Sequence, residues 1–538
     1  MNKPIFHSAC PHDCPSTCAL EIELGQDGQI DRVRGAIENS YTNGVICSKV
    51  ARYSERIHHP DRLTQPLRRK GGKQSGDFEQ ISWESALDET ADRLLKEEQR
   101  YGSEAIWPYF FAGTMGLVMR DGIDRLRHAK RYSGEHKTIC TTPSFNGFIA
   151  GTGKLAGVDP REMADSDQVI IWGTNAASTQ VNVMSHVLKG RQQRGARLVV
   201  VDTYNNATAK QADLFVCVRP GTDGALACGI MHVLFRDGYA NWEYLTQYTD
   251  DPEGLEQHLK SRTPEWASTI CGVDVAIIEK LSHMIGSTPR TYFRLGYGFA
   301  RQRNGAFNMH AVASIAAVTG SWLNRGGGAF HNNGDIYHWD KTLIEGLDVC
   351  DSDIRVLDQS RIGAILTGDI QDIGDGPPVT ALFIQNTNPM SVAPDQNKVH
   401  EGFFRDDLFI CVHEQFMTET AMVADIVLPA TMFLEHDDVY QGGGHQHIIL
   451  GPKIIDPPEG CRSNHEVICE LAHRLGAKHQ GFHMSARELI DQTLQDSGWG
   501  SLEQLEGSRW IDCQPAFEEA HYVGGFAHKD KKYHFSPD

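Results

Sequence analysis

Four cysteines near the amino terminus have the spacing of an iron-sulfur site. Residues 10–18 read CPHDCPSTC, so three residues separate Cys10 from Cys14 and Cys14 from Cys18, and 28 residues separate Cys18 from Cys47. This spacing lets a short loop wrap a compact inorganic core, with each sulfur at a different corner and the later cysteine closing the set. The motif therefore predicts a [4Fe-4S] cluster.

Two other uses of these cysteines stay open. A structural zinc ion also binds four thiolates, but it usually takes them as two close C-x2-C pairs rather than as three and one. Disulfide bridges are the second alternative, but the remaining cysteines show no framework, and their scatter favours a reducing compartment. The remaining cysteines are Cys140, Cys217, Cys228, Cys271, Cys350, Cys411, Cys461, Cys469 and Cys513.

Beyond the cysteines, residues that could bind a ligand lie in polar turns at the ends of apolar segments. Strands in 166–178 and 196–223 end at a Gly-Thr-Asn turn, at an aspartate and at an Arg-Pro-Gly-Thr-Asp turn, with a helical segment after the first. These β-α-β units predict a parallel sheet. Similar edges lie at 290–305, 379–396 and 407–430. Several such edges facing one crevice favour a large, multiply charged cofactor.

Two acidic residues follow strands of the predicted sheet. Asp202 ends the second strand and Asp223 ends the next turn. An acidic residue at such a place can hold a ribose or a purine, and a turn rich in Gly and Thr offers N–H groups to a phosphate. The first turn lacks GxGxxG, so a nucleotide-tailed ligand other than nicotinamide is favoured. As an alternative, both aspartates simply cap helices.

Local patterns predict the elements around these sites. Alternating residues around Gly25 and Gly28 predict a β-hairpin that carries the chain from Cys18 back towards Cys47. An apolar stripe after Ser82 predicts a helix with that serine as its N-cap. A second amphipathic helix is predicted within 463–476.

Length and charge limit the classes of function. A chain of 538 residues is too long for one core, so we expect two to four domains. With 51 basic and 70 acidic side chains, the net charge of −19 disfavours nucleic acid as a partner. No apolar run approaches the ~18 residues of a membrane span, and the first residues have no signal-like apolar region, so we expect a cytoplasmic protein.

With these residues assembled, the sequence resembles the molybdopterin oxidoreductases of the dimethyl-sulfoxide-reductase type over essentially its whole length. Each sign is weak alone, but their order is specific. Besides the cysteine motif they are SWESAL at 82–87, WGTN at 172–175, VVVDTYN at 199–205, RPGTD at 219–223, NTNP at 386–389 and ADIVLPA at 424–430.

The resemblance implies an α/β fold with a small N-terminal iron-sulfur domain and two related parallel-sheet, dinucleotide-binding-like domains. The C-terminal β-barrel of the family is expected to be absent, which leaves a fragment, a split subunit or a truncated relative open. The expected domains are an iron-sulfur domain at 1–60 with part of 435–538 packed on it, a first α/β domain at 61–138 and 331–434, a second at 139–330, and a C-terminal segment at 435–538.

The resemblance also implies the cofactors, namely the cluster and molybdenum (or tungsten) bis-molybdopterin guanine dinucleotide. Asp202 and Asp223 would hold the guanosine of one dinucleotide. The other residues that would contact the cofactor are Gly173, Thr174, Asn175, Arg219, Gly221, Thr222, Gly296, Asn386, Asn388 and Thr418.

Two residues are implied to act at the redox centre. Cys140, in the segment 137–147, would ligate the metal, because a soft thiolate suits it and the family takes Ser, Cys, selenocysteine or Asp there. An isolated cysteine is otherwise more often inert core filler. Lys49 reads as a solvated lysine from spacing alone, but the family places a basic residue there between cluster and pterin. Formate dehydrogenases follow the ligand with histidine, and Thr141 makes formate a poorer guess.

These features predict an oxidoreductase that transfers an oxygen atom or a hydride equivalent to or from a small substrate and relays electrons through the cluster. An electron-transfer protein or subunit is the expected partner, and a separate chain could supply the absent domain. His413 and Glu414 are nominated as acid or base, with a buried structural pair as the alternative. An electron-transfer or scaffold subunit without a working metal site, and a non-redox hydratase, are the alternative functions.

Overall fold

The computed structural model describes residues 4–536, which contain five β-sheets. The strands are β1 (Ile5–Ala9), β2 (Ala19–Leu24), β3 (Ile30–Gly35), β4 (Leu67–Arg69), β5 (Phe78–Gln80), β6 (Ile106–Phe110), β7 (Gly134–His136), β8 (Gln168–Trp172), β9 (Arg197–Asp202), β10 (Leu214–Cys217), β11 (Thr291–Leu295), β12 (Gly328–Phe330), β13 (Val356–Asp358), β14 (Ala381–Gln385), β15 (Phe409–Glu414), β16 (Ile426–Pro429), β17 (Asp438–Gln441), β18 (His447–Gly451) and β19 (Trp510–Asp512).

The longer helices are α1 (Trp83–Tyr101), α2 (Leu117–Lys130), α3 (Thr142–Thr152), α4 (Val181–Arg194), α5 (Asp223–Arg236), α6 (Trp242–Tyr248), α7 (Pro252–Leu259), α8 (Pro264–Cys271), α9 (Val275–Gly286), α10 (Gly305–Thr319), α11 (Gln396–Phe403), α12 (Asn464–Arg474), α13 (Ala486–Asp496) and α14 (Leu502–Ser508). Short helices cover Ser48–Ala51, Tyr53–Ile57, Ala176–Thr179, Thr342–Glu345, Ile362–Leu366, Ile370–Ile373, Pro389–Val392, Glu419–Met422 and Phe517–Ala520. The predicted cap of α1 is confirmed, because the Ser82 side chain accepts a hydrogen bond from the Ser85 amide. The second predicted amphipathic helix is α12, whose capping box joins Ser463 and Glu466.

The N-terminal sheet is antiparallel, in the order β1-β2-β3. β2 and β3 form the predicted hairpin, and Gly28 takes a positive φ of 77° in its turn, where glycine is favoured. The cysteine loop connects β1 to β2 and is closed by a hydrogen bond of 2.9 Å from the Cys10 amide to the Cys18 carbonyl. The sheet therefore fixes both ends of the loop that carries three of the four cysteines.

One five-stranded sheet is wholly parallel, in the order β10-β9-β8-β11-β12. Its strands are apolar on both faces because helices such as α5 and α10 cover the sheet and share its core. The strand order reverses between β8 and β11. Ligands of open α/β sheets bind beyond the carboxyl ends of the strands at such a switch point.

A six-stranded sheet combines two distant segments of the chain, in the order β5-β4-β16-β15-β14-β6. β6, β14, β15 and β16 are parallel, while β4 and β5 run antiparallel at one edge. The strands β14 and β15 lead directly into the turns that carry Asn386, Asn388 and Thr418. These side chains therefore lie at the carboxyl edge of the sheet.

The segment after this sheet packs on the cysteine loop. Met432, Phe433 and Leu434 share one hydrophobic cluster with Cys10 and Cys18. The antiparallel sheet β17-β18-β19 also contacts the N-terminal sheet. The cysteine loop is thus held from two sides by segments that are remote in sequence.

A buried ion pair joins the same two regions. The Arg62 guanidinium donates to both carboxylate oxygens of Glu435 at 2.5 and 2.7 Å, and the two side chains are 3% and 1% exposed. Removing one partner of a buried pair leaves the other charge unpaired, which costs about 3–5 kcal/mol. We expect Glu435→Gln to lower the free energy of unfolding by about 3 kcal/mol in urea denaturation.

The control is Glu79→Gln, because the Arg68–Glu79 pair has a similar distance of 2.5 Å but side chains that are 43% and 40% exposed. An exposed pair contributes at most about 1 kcal/mol. Equal losses in the free energy of unfolding of the two variants would show that the buried Arg62–Glu435 pair stabilises the protein no more than the exposed pair does.

The predicted fold class is confirmed. The chain is α/β, with an N-terminal iron-sulfur-type domain and two parallel-sheet units, and none of the five sheets within residues 4–536 closes into a barrel. The division of the chain into domains stays a prediction. Over the described residues, no helix combines the length and apolar character that crossing a membrane requires.

Candidate metal and cofactor site

The four predicted cluster cysteines line one cavity of about 520 Å³. Cys10 and Cys18 are buried, while Cys14 and Cys47 are half-buried on its wall. Cys47 precedes the short helix Ser48–Ala51, so the turn after the hairpin returns it to the loop that carries the other three. The structure therefore brings together the thiols that the spacing predicts to be ligands.

The charges of these thiols fit a positively charged guest. Burial raises the pKa of Cys10, Cys14 and Cys18, and nearby thiolates raise each of these pKa values further. Four ionised thiols in such a space need compensating metal charge, because thiolates bind iron or zinc as anions. The donor set and the shared cavity fit a metal-sulfur cluster.

The parallel sheet also reaches this cavity. The turn after β8 leads into the short helix Ala176–Thr179 and then α4. The Cys14 thiol lies 3.0 Å from the Thr179 carbonyl oxygen, and the Cys18 thiol lies 3.3 Å from Oδ1 of Asn182. The segment that begins at the predicted dinucleotide-binding turn and continues into α4 therefore contacts the cluster loop directly.

Cys140 lines a second cavity, of about 320 Å³, together with Asp13 and Cys14. Burial raises the pKa of the Cys140 thiol, and the charge of Asp13 raises it further. Arg301 opposes both effects, because its Nη2 lies 3.8 Å from Sγ and carries positive charge; it also donates one hydrogen bond to the Cys140 carbonyl. Arg301 therefore supplies a positive charge beside this thiol and Asp13 a carboxylate, while the sulfur faces the cavity and is available to a metal.

Asp13 was not among the predicted site residues. It lies on the cavity wall with its side chain open to the cavity. The protein around it partly desolvates the carboxyl and raises its pKa, while the charges of Arg120 and Arg301 act against this shift. It makes no hydrogen bond or ion pair with a described residue. Its position inside the CPHDCPSTC motif, beside a cluster cysteine, was the available signal.

A third cavity, of about 240 Å³, lies at the carboxyl edge of the six-stranded sheet. Three of the predicted cofactor contacts, Asn386, Asn388 and Thr418, line it together. The Asn388 side chain accepts a hydrogen bond of 2.6 Å from Thr420 and donates one of 2.6 Å to Glu419. Thr418 caps the short helix that begins at Glu419. The local bonds orient these residues around the cavity.

His413 and Glu414 line the same cavity. Both ring nitrogens of His413 have partners, at 3.0 Å to Gln385 and 3.1 Å to the Arg462 carbonyl, and burial lowers its pKa to about 4. Burial raises the pKa of Glu414. The hydrogen bonds of His413 favour a structural role over proton transfer.

Gly173, Thr174 and Gly296 meet at the switch point of the parallel sheet. The Gly296 amide donates to the Trp172 carbonyl at 2.8 Å, and a Cβ on Gly296 would lie 2.3 Å from the Gly173 carbonyl oxygen and 2.4 Å from Cβ of Thr174. Gly173 has a φ of +71°, which favours glycine. Glycine is required where the two loops cross, and it leaves their backbone groups at the predicted ligand crevice.

The two predicted guanosine carboxylates lie near each other along this edge, and the charge of Asp223 contributes to the raised pKa of Asp202, whose largest cause is burial. Asp202 accepts hydrogen bonds from the Thr203 amide at 2.7 Å and the Asn206 amide group at 2.8 Å. Asp223 accepts one of 2.8 Å from the Trp172 indole. Each carboxylate keeps lone pairs that could accept further N–H groups.

The remaining predicted contacts on this edge are engaged within the protein. Arg219 donates to the carbonyls of Thr269 and Ile270, Thr222 donates to the Arg219 carbonyl, and Asn175 accepts from Thr208 at 2.9 Å. Gly221, with a φ of +82°, shapes the turn before α5. Their side chains fix the loops, so any contact with a ligand would fall mainly to backbone groups.

Of the three cavities described above, Lys49 lines the cluster cavity alone. Tyr53 and Arg56, which the sequence did not single out, line both the cluster cavity and the third cavity. Asp13 and Cys14 line both the cluster cavity and that of Cys140. The cluster cavity therefore has a shared wall with each of the other two.

Comparison with protein families matches residues 62–474 to the family described as Molybdopterin oxidoreductase and residues 4–59 to the Molybdopterin oxidoreductase Fe4S4 domain. Among relatives, the probable oxidoreductase YoaE of Bacillus subtilis is 38% identical over 93% of this chain and 73% of its own length. Dimethyl sulfoxide reductase DmsA of Escherichia coli is 26% identical over 99% of this chain and 70% of its own.

A solved structure, acetylene hydratase from Pelobacter acetylenicus, superposes with a TM-score of 0.80 at 20% identity, over 100% of this chain and 78% of that one. At this level of identity the likeness shows the shared fold.

Proposed function

The chain belongs to the molybdopterin oxidoreductase family, and from this premise we propose that it is an enzyme that exchanges an oxygen atom or a hydride equivalent with a small substrate in a two-electron reaction. Its cofactors are a [4Fe-4S] cluster and a molybdenum or tungsten pterin. We propose the bis-molybdopterin guanine dinucleotide form of the pterin. When bound, these groups supply the electron exchange, and the protein supplies orientation and potential.

One observation carries the proposal: Cys14 lines both the cavity of the four cysteines and the cavity of Cys140. A cluster ligand and the proposed metal ligand therefore face a common wall. An electron relay between two redox groups needs such proximity, whereas a protein with a purely structural cluster does not. The arrangement supports an enzyme over a scaffold subunit without a working metal.

Cys140 is the proposed ligand of the molybdenum or tungsten. Arg301 holds the backbone of this residue and places a positive charge near its sulfur. Lys49, on the wall of the cluster cavity, is proposed to stabilise negative charge on the side of the cluster that faces the pterin. Arg301 and Lys49 would both act through a fixed positive charge rather than through proton transfer.

The guanine dinucleotides are proposed to lie along the carboxyl edges of the two parallel sheets. Asp202 and Asp223 would accept hydrogen bonds from one guanosine, and the N-terminus of α5 is close enough in sequence to offer N–H groups to its phosphates. Asn386, Asn388 and Thr418 would contact the second dinucleotide or a pterin from the third cavity. These assignments follow the positions of the residues on the two edges.

We propose an electron-transfer protein or subunit as the partner. Two relatives are called a chain or a subunit in their names, the putative dimethyl sulfoxide reductase chain YnfE and an F420-dependent formate dehydrogenase subunit alpha. The half-buried Cys14 and Cys47 leave one side of the cluster cavity near the surface, where electrons could enter.

Metal analysis and a redox assay test the proposed function. We expect anaerobically purified protein to contain about four iron atoms and about one molybdenum or tungsten atom per chain. We also expect it to oxidise reduced viologen with at least one of nitrate, sulfur oxyanions, N-oxides or S-oxides, or to reduce oxidised viologen with formate. Iron without molybdenum or tungsten would favour the scaffold, zinc in place of iron would remove the cluster, and turnover without any electron donor or acceptor would indicate a hydratase.

A further inference from the structure

Two cavities of the redox centre meet at one arginine. Arg56 and Tyr53 line both the cavity of the four cysteines and the cavity of Asn386, Asn388 and Thr418. Arg56 lies in the short helix Tyr53–Ile57, which follows the helix that begins after Cys47. The position of Arg56 therefore depends on the turn that follows the cluster ligand Cys47.

The contacts of Arg56 hold its guanidinium across this boundary. Its Nη2 donates to the Gln415 side chain at 3.0 Å, and its Cζ lies 5.8 Å from the Tyr53 ring centre and 5.4 Å from that of Phe416. Gln415 and Phe416 belong to the turn after β15, on the third cavity. One cation therefore bridges the cluster helix and the edge of the six-stranded sheet.

The charge of Arg56 is not neutralised locally. No carboxylate of the described residues forms an ion pair with it, whereas Arg52, on the same cluster cavity, donates to both oxygens of Glu55 at 2.7 Å. The field of Arg56 also reaches the third cavity, where it acts against the burial that raises the pKa of Glu414. Arg56 is thus a free positive charge, and Arg52 is a paired one.

We infer that Arg56 is a second cationic positioning residue of the redox centre, which raises the reduction potential of the cluster and holds negative charge of the cofactor at the boundary between the two cavities. This inference rests on the proposed function. Lys49, the basic residue that the family resemblance indicates, lines the cluster cavity but not the third cavity.

The physical reason is the charge balance of reduction. A cubane bound by four thiolates gains one electron and no proton, so its net charge becomes more negative by one. A fixed cation nearby stabilises the reduced form more than the oxidised form, and this raises the reduction potential. An ion pair such as Arg52–Glu55 contributes little as a whole, because the fields of its two opposite charges largely cancel at the cluster.

The test is a redox titration of the holoenzyme followed by electron paramagnetic resonance of the reduced cluster. At the midpoint potential of the wild type, we expect Arg56→Gln to lower the ratio of reduced to oxidised cluster about fivefold. Arg56→Lys should keep most of the wild-type ratio, because it keeps the charge. The matched control is the double variant Arg52→Gln/Glu55→Gln, which removes a paired cation together with its carboxylate and should change the ratio less than twofold.

A midpoint in Arg56→Gln that equals that of the wild type or of Arg52→Gln/Glu55→Gln would overturn the inference. An equal shift in Arg56→Lys and Arg56→Gln would also overturn it, because a change in packing rather than charge would then be the cause. An iron-free wild type would instead overturn the proposed function itself, and it is recognised before any variant is compared.

Discussion

Replacing Cys14 with serine is expected to reduce the iron content from about four atoms per chain to three or fewer, and to reduce turnover with reduced viologen at least about a hundredfold. Cys14 is one of four thiols on the cluster cavity, and it also forms part of the wall of the Cys140 cavity. A serine oxygen is a poor substitute for a thiolate at iron. The loss should therefore remove both the metal and the route for electrons.

Iron analysis and the visible spectrum of anaerobic protein give the first readout, and viologen oxidation gives the second. Cys350→Ser is the matched control, because Cys350 is exposed and lines none of the three cavities. It should keep full iron and full turnover. Full iron in Cys14→Ser would contradict the proposed cluster.

Replacing Cys140 with alanine is expected to reduce turnover at least about a hundredfold while the iron content stays at about four atoms per chain. Alanine removes the sulfur that faces the second cavity but leaves the four cluster cysteines intact. Cys140→Ser returns an oxygen ligand, so we expect it to recover part of the activity. The loss of metal coordination, rather than of folding, should account for the effect.

Molybdenum or tungsten analysis, with X-ray absorption at the metal edge, measures this directly, because one sulfur neighbour should disappear in Cys140→Ala. Cys217→Ala is the control, since Cys217 is exposed at the end of β10. If Cys140→Ala retained wild-type turnover and an unchanged metal spectrum, Cys140 would be core filler and the metal ligand would lie elsewhere.

The two variants together separate the two halves of the redox centre. Cys14→Ser should lose iron, whereas Cys140→Ala should keep iron and lose turnover. A protein in which both variants lost iron equally would have a single site that includes Cys140. The difference between the variants is thus stronger evidence for two adjacent redox groups than either loss alone.

Features set by neighbouring residues were predictable from the sequence. The spacing of Cys10, Cys14 and Cys18 indicates their common guest, because a short loop limits where the three sulfurs can lie. The hairpin around Gly28 and the cap at Ser82 depend on backbone conformation and on hydrogen bonds within a few residues. Buried apolar runs indicated the strands of the parallel sheets, because both faces of such sheets are covered.

Only the tertiary structure decided which of these features face one another. Cys14 and Cys140 share a cavity, and Arg56 reaches Gln415, because the cysteine loop packs against the carboxyl edges of two sheets built from distant segments. The same packing turns Arg219 towards helix carbonyls and limits Lys49 to one cavity. The sequence determined which residue types could act as ligands, because local geometry fixes their spacing. The burial of apolar surface between distant segments determined which residues lie beside those ligands, and no local sequence pattern encodes these long-range contacts.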